Sequence, residues 1–430
     1  MEYVVDLHIH SRFSRATSKN CNLEGLYYWG KLKGINVIGT GDFTHPQWFA
    51  ELREKLVPAE LGLFKLKDEL AAPIDATLPP NVRGNDIRFV PTVEIATIYK
   101  KGERVRKLHQ LIVLPSFEAV SELNARLERI GNLKADGRPI LGLDSKELLR
   151  HMLEVEPRGL YVAAHIWTPW FGLFGSKSGF DSIGEAFDEL APEVRAIETG
   201  LSSDPGMNWR VANLDGRAII SNSDAHSPQK LGREATLVHS DLSYDGIIGG
   251  IKSNDQRLVG TIEFFPEEGK YHLDGHRACN VKFTPAETEA ARGLCPVCSK
   301  PLVVGVENRL NSLASRPSDF LPAQPKKVEY IIPLAEIIAE LRGTKSASGK
   351  GVTQDYHNVL GRLGDEFSVL RAVPTDAIHE AGFPLLAMAI DRLRRGEVVR
   401  EAGYDGVYGT IKVFKDAVER QQTLNQQSLF

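Results

Sequence analysis

Cysteine is scarce in this chain, at four in 430 residues, and three of the four, Cys279, Cys295 and Cys298, are close neighbours in sequence. That distribution excludes a disulfide-stapled scaffold and points to metal ligation in a reducing, cytoplasmic setting. Long apolar runs are missing too, since no stretch approaches the roughly 20 residues that a membrane span needs. The chain opens on a charged strand, so no secretory signal is expected. A net charge of −4 gives no global pull toward nucleic acid, although steering depends on where charges sit rather than on their sum. Fixed-period repeats and low-complexity tracts are absent. A P-loop is absent as well. Gly343-Thr344-Lys345-Ser346-Ala347-Ser348-Gly349-Lys350-Gly351 has five residues between its first two glycines and a glycine after Lys350, where the ATP-binding motif has four and then Ser or Thr. What remains is a globular chain with 42% hydrophobic and 25% charged residues, long enough for two or three domains.

Histidine carries the signal. Six of the twelve histidines lie beside short apolar runs. In Val4-Val5-Asp6-Leu7-His8-Ile9-His10 a strand ends in an H-x-H pair, and side chains two apart on a strand share a face, so His8 and His10 can hold one ion. Similar settings surround Asp42 and His45, Glu94, His109, His165, and Asp224 with His226. Imidazole suits zinc and related metals, and carboxylates can bridge two ions. Glu94 and Asp224 are the expected bridges. His8, His10, His109 and His165 would complete one pair of ions, and Asp42, His45 and His226 could hold a third. Asp224, Glu94 and His226 are the expected catalytic residues. Strand-like runs alternate with helical stretches such as Leu23–Lys33 up to about residue 240, and ligand-type residues follow the strands. That order predicts an α/β barrel with its site at the strand C-termini.

These segments, from Asp6-Leu7-His8-Ile9-His10-Ser11 to Ser223-Asp224-Ala225-His226, resemble the successive motifs of the PHP (polymerase and histidinol phosphatase) superfamily. The resemblance implies a distorted (β/α)7 barrel and phosphoester hydrolysis at a multinuclear centre of two or three divalent ions (Zn, Mn or Mg). The second motif departs from the common Thr-Asp-His pattern, because Phe43 follows Asp42 and the histidine comes two places later.

Beyond the barrel, Cys279 is followed by the knuckle Cys295-Pro296-Val297-Cys298. Two knuckles close a tetrahedron around a structural zinc. His276 is expected as the fourth ligand, with His272 the alternative. The expected layout is a barrel over 1–240, a linker over 241–268, a zinc module over 269–306, a mostly helical DNA-contacting domain over 307–415 and a tail over 416–430. The zinc module, together with Gly403-Tyr404-Asp405-Gly406-Val407-Tyr408-Gly409, is similar to the endonuclease Q family. That resemblance implies a DNA repair endonuclease cutting 5′ of deaminated bases (uracil, hypoxanthine, xanthine) or at abasic sites. The alternative is a PHP phosphoesterase acting on a small phosphate monoester. Lys177, in the Gly-rich loop after His165, and Lys345 and Lys350 are candidate DNA contacts, as is the basic run Arg392, Arg394, Arg395 and Arg400. The final Gln426-Gln427-Ser428-Leu429-Phe430 resembles a sliding-clamp-binding motif, with Gln426, Leu429 and Phe430 as its anchors.

Overall fold

The computed structural model describes residues 1–420. Its centre is built from short, fully apolar strands. β1 (Glu2–Asp6) pairs in parallel with β2 (Val37–Gly39), and β2 with β3 (Arg88–Val90). The chain continues through Pro91 into β4 (Thr92–Lys101), which forms a long hairpin with β5 (Arg104–Val113). β5 runs antiparallel to β6 (Leu160–Ala163), and β6 leads in parallel to β7 (Ala196–Glu198) and β8 (Ala218–Ile220). A parallel bridge between Ile9 and Ala225 joins the segments that follow β1 and β8, closing the ring. With β3 and β4 counted as one bent stave, this is a seven-stranded barrel, distorted by the reversed β5.

Helices pack outside it for local reasons. In Leu23–Lys33 the Asn22 side chain accepts from the Gly25 N–H at the start, and Gly34 ends the helix with φ +81°, a conformation glycine adopts without strain. Val5, Val37, Val90, Val113, Val162 and Ala218 share one apolar cluster with Tyr244, Ile247, Ile248 and Ile251. These four come from helix Tyr244–Ser253, and the Tyr244 hydroxyl donates to the Val113 carbonyl, beside the start of β6. The helix thus closes the end of the barrel opposite the strand C-termini.

The stretch expected as a linker is therefore structural. After that helix it forms β10 (Leu258–Glu263), which pairs with β9 (Ala235–His239) in the same sheet as β1. β11 (Lys327–Tyr330), from the C-terminal region, adds to β10 in parallel register. Gly260 permits that pairing, since a Cβ there would lie 2.0 Å from the Lys327 carbonyl oxygen. The C-terminal region is otherwise mostly helical, with Leu334–Leu341, Lys350–Leu363 and Pro384–Arg394 as its longer helices, and one apolar core runs through it and the barrel. The cysteine-rich module has strands Asp274–His276 and Val281–Phe283, and its own apolar cluster buries only Val281, Cys295 and Leu302. Loop 403–409 pins it to the rest of the chain. Gly403 and Gly409 donate backbone N–H groups to the Glu267 and Glu268 carbonyls, and Leu273 donates to Gly403. Among the described residues no helix is long and apolar enough to cross a membrane. Gln426, Leu429 and Phe430 lie outside the described residues.

Candidate metal centre

Glu94, near the start of β4, is wholly buried and common to two donor groups. Its Oε2 lies 3.2 Å from His10 Nε2 and 3.6 Å from His8 Nε2. Asp224 Oδ1 is 3.1 Å and 3.8 Å from the same two nitrogens. On the other side, Glu94 Oε1 lies 2.6 Å from His109 Nδ1 and 2.9 Å from His165 Nε2. One carboxylate thus belongs to both groups, as a bridging ligand must.

The donor chemistry fits cations. His8 Nδ1 is 3.0 Å from both Glu198 oxygens, and His10 Nδ1 is 3.1 Å from Asp42 Oδ1. With Nδ1 protonated toward these carboxylates, each Nε2 carries a lone pair aimed at Glu94 and Asp224. Acceptors would then face acceptors. Nε2 of His8, Nε2 of His10 and Oδ1 of Asp224 are indeed buried without a hydrogen bond, an arrangement that a bound cation resolves. Burial pushes His109 down to about 4, so its ring is neutral and fit to ligate. Burial opposes ionisation of Glu94, yet the Arg138 guanidinium beside it holds its carboxyl well below the usual range.

A second layer aims the donors. Asn222 donates to Glu198, and Asp6 accepts the N–H groups of Ser223 and Gly232. Arg233 holds the carbonyls of Ser223 and Asp224. Asp42, His165 and Asp224 all have positive φ, at +51°, +28° and +46°. Such strain in non-glycine residues persists where surrounding bonds enforce it, commonly at functional sites. Glu198, Asn222, Arg138 and Arg233 escaped the sequence reading. The only trace of Glu198 is a carboxylate inside a buried strand, Ala196–Glu198.

The residues expected to hold a third ion do not gather into one donor group among the described residues. Asp42 stands in neither donor group; its Oδ2 accepts from the Ser11 N–H, Ser11 Oγ and Ser14 Oγ. Gly137 packs so tightly there that a Cβ would lie 2.3 Å from Asp42 Oδ2. His45 stacks on Phe13, with ring centroids 4.3 Å apart. His226 lies nearer, its ring 4.5 Å from that of His10 and its Nδ1 3.0 Å from the Asp224 carbonyl. Replacing Asp42 with Ala is expected to weaken metal binding about 10- to 100-fold by freeing the His10 ring. A chelator-competition titration checks this, and unchanged affinity would remove Asp42 from the role.

The groups open on a cleft of about 830 Å³, lined by Arg138, Trp170, Lys230, Arg233, Lys270 and Tyr271 among others. Trp170 is exposed and meets Tyr271 edge-on at 5.6 Å, while Lys270 lies 4.6 Å from the Tyr408 ring. In the loop after His165, Phe174 and Phe180 are buried and Phe171 covers His109, so Trp170 is its exposed aromatic. Lys177, Lys345 and Lys350 are exposed outside the cleft lining. The basic run is engaged within the chain: Arg392 with Glu419, Arg394 with the Leu370 and Val373 carbonyls, Arg395 with Asp391, and Arg400 with Glu267.

Glu268 also lines the cleft, and burial together with the Glu336 carboxylate raises its pKa from the usual 4.5 to about 7. The folded state then holds a proton that the unfolded state has lost. Stability therefore falls as pH rises from about 4.5 through about 7. Glu268→Gln is expected to gain about 1–2 kcal/mol over the native protein at pH 8 and little below pH 5. Melting curves across that range test it, and a pH-independent gap would contradict it.

In the cysteine-rich module, His276, Cys279, Cys295 and Cys298 each offer a ligand atom, all within 4.8 Å of one another. His276 stands with the sulfurs, its Nδ1 3.4 Å from Cys298 Sγ, whereas His272 lies outside the group. Three thiols and one imidazole with no open position suit a structural zinc.

Barrel, shared carboxylate and histidine pairs together define the chain as having the PHP fold, with donor groups able to hold metal ions. Its structural neighbours include endonuclease Q. The lesion-specific endonuclease of Pyrococcus furiosus matches with a TM-score of 0.82 and 28% identity, over 98% of this chain and 99% of that one. An endonuclease Q complex with a 27-mer duplex carrying an abasic lesion at its active site matches with a TM-score of 0.81 and 28% identity, over 97% and 99%. Residues 333–397 match the MJ0043 C-terminal domain family. Protein MJ0043 of Methanocaldococcus jannaschii is 30% identical over 62% of this chain, which spans only 34% of that protein's length. YqxK of Bacillus subtilis is 28% identical over 88% of this chain and 89% of its own length.

Proposed function

We propose that this protein is a DNA repair endonuclease that hydrolyses the phosphodiester 5′ of a deaminated base or at an abasic site. The observation that carries the reading is the end-to-end match to a lesion-specific endonuclease, 28% identical over 98% of the chain, joined to the Glu94-centred donor groups. His8, His10, Glu94 and Asp224 would hold one ion, and Glu94, His109 and His165 another, with Mg, Mn or Zn as candidates. Bound there, the ions would neutralise charge developing on the phosphate in the transition state. The protein's part is orientation. Glu198 and Asp42 keep Nδ1 of His8 and His10 protonated, so that both Nε2 atoms remain available. His226 gives its Nδ1 to the Asp224 carbonyl, leaving Nε2 free to move a proton at the cleft.

A lesion must leave the base stack to be read, which costs a few kcal/mol and least for mispaired or missing bases. Trp170, Tyr271 and Tyr408, at the cleft, offer faces on which bases can stack. Lys177, Lys345 and Lys350 would hold flanking phosphates, a sequence-independent contact. The zinc module would carry Tyr271 and, through loop 403–409, fix Tyr408. The terminal Gln426, Leu429 and Phe430 would engage a bacterial sliding clamp.

End-labelled duplexes containing uracil, hypoxanthine, an abasic site or no lesion, incubated with Mn²⁺ or Mg²⁺, test the reading. Cutting at the lesions and not in the undamaged duplex is expected. Intact duplexes together with phosphate release from p-nitrophenyl phosphate would overturn it in favour of a monoesterase.

A further inference from the structure

Arg138 reaches the metal-ligand cluster from a segment that no strand motif marks. The strap Lys134–Arg138 crosses the loop after β1. Gly137 donates its N–H to the Phe13 carbonyl, and Asp136 Oδ1 accepts the N–H groups of Arg15 and Arg138. Gly137 itself sits against Asp42 and Ser14 with no room for a side chain. The strap is thus fixed on both sides, and it delivers one guanidinium to the cleft. Arg138 Nη1 donates to Glu94 Oε2 at 2.9 Å, and its side chain keeps 29% exposure. The other N–H groups of its guanidinium make no hydrogen bond among the described residues.

The remaining cations of the cleft are engaged elsewhere. Lys230 is paired with Glu336 at 2.8 Å, and Arg233 spends Nε and Nη2 on backbone carbonyls. Lys270 lies over Tyr408. Arg138 alone among these four combines direct contact with the bridging carboxylate and free donors in the cavity. A planar fork of N–H groups matches two phosphate oxygens, which an ammonium cannot do.

We propose that Arg138 is a catalytic residue that grips the phosphate of the scissile ester while Nη1 stays anchored to Glu94. This rests on reading the cleft as a phosphoester site, whichever ester it takes. In the hydrolysis a water oxygen forms a bond to phosphorus, and the bond from phosphorus to one ester oxygen breaks. One proton of the water ends on the departing alcohol and the other on the new monoester or solvent. Arg138 transfers none. It neutralises charge on the non-bridging oxygens as they become more negative.

The test compares the full-length native protein with Arg138→Ala and Arg138→Lys, all loaded with Mn²⁺. Metal content, inorganic phosphate affinity by calorimetry, and kcat and KM on an abasic duplex are the readouts. Arg138→Ala is expected to keep its metal, bind phosphate about 10-fold more weakly or worse, and lose about 10²- to 10³-fold in kcat. Arg138→Lys, which keeps the charge, should recover part of the phosphate affinity. Loss of metal in step with activity would make Arg138 a mere counter-ion to Glu94 and overturn the proposal. Equal phosphate affinity in Arg138→Ala, or none in the native protein at millimolar phosphate, would overturn it too. Arg138-dependent phosphate binding without DNA cutting would leave the proposal standing and sink the nuclease reading instead.

Discussion

Glu94→Gln is expected to abolish phosphodiester cleavage, by on the order of 10³-fold or more, equivalent to about 4 kcal/mol of transition-state stabilisation. The size follows from the position of Glu94. Its two oxygens serve separate donor groups, Oε2 facing His8 and His10 and Oε1 facing His109 and His165. An amide keeps the shape but loses the charge and one acceptor atom, so both groups are damaged at once. Arg138 would also lose its ionic partner. Metal analysis separates the causes, because the variant should hold less metal than the native protein under the same loading. A variant that keeps full metal and activity would show that Glu94 bridges nothing.

The second large effect is expected at Cys295→Ser. The cysteine-rich module's own apolar cluster buries only Val281, Cys295 and Leu302, too little surface to offset the entropy of ordering a segment of its size. Structural zinc in comparable small folds contributes about 10–16 kcal/mol, so most of the module's stability would come from the ion. Removing one thiolate should release close to one zinc per chain and open the segment 277–304 to limited proteolysis. The barrel should stay folded, since its core is separate. Cleavage should weaken as well, because Lys270 and Tyr271, which line the cleft, belong to the same module. A zinc-free Cys295→Ser protein with unchanged protease resistance would contradict a structural role.

Much of the site was legible because two periodicities meet in it. His8 and His10 share a face by the alternation of an extended chain, and Asp224 follows a strand that ends at Ile220. The barrel was legible from the same alternation of apolar runs and helices. What could not be read are relations between distant segments. Asp42 has ligand chemistry and a ligand's setting, yet its positive φ aims the carboxylate at His10 and two serines. Arg138 lies 44 residues from the carboxylate it holds, in a strap without periodic pattern. Glu198 looked like any strand residue until the fold placed it behind His8. The stretch 241–268 was passed over as a linker, although Tyr244, Ile247, Ile248 and Ile251 already carry the spacing of a buried helix face. Pairing of β11 with β10 joins residues more than sixty positions apart, and nothing local announces it.

The most direct test of a metal-dependent, lesion-directed nuclease is cleavage by protein stripped with chelator and then reloaded. An end-labelled duplex with one central abasic site is the substrate, and the cut is mapped at single-nucleotide resolution. The stripped protein should be silent, and Mn²⁺ or Mg²⁺ should restore a single cut on the 5′ side of the lesion, absent from Glu94→Gln. Equal cutting before and after stripping, or cuts scattered without regard to the lesion, would contradict the assignment of the Glu94 centre.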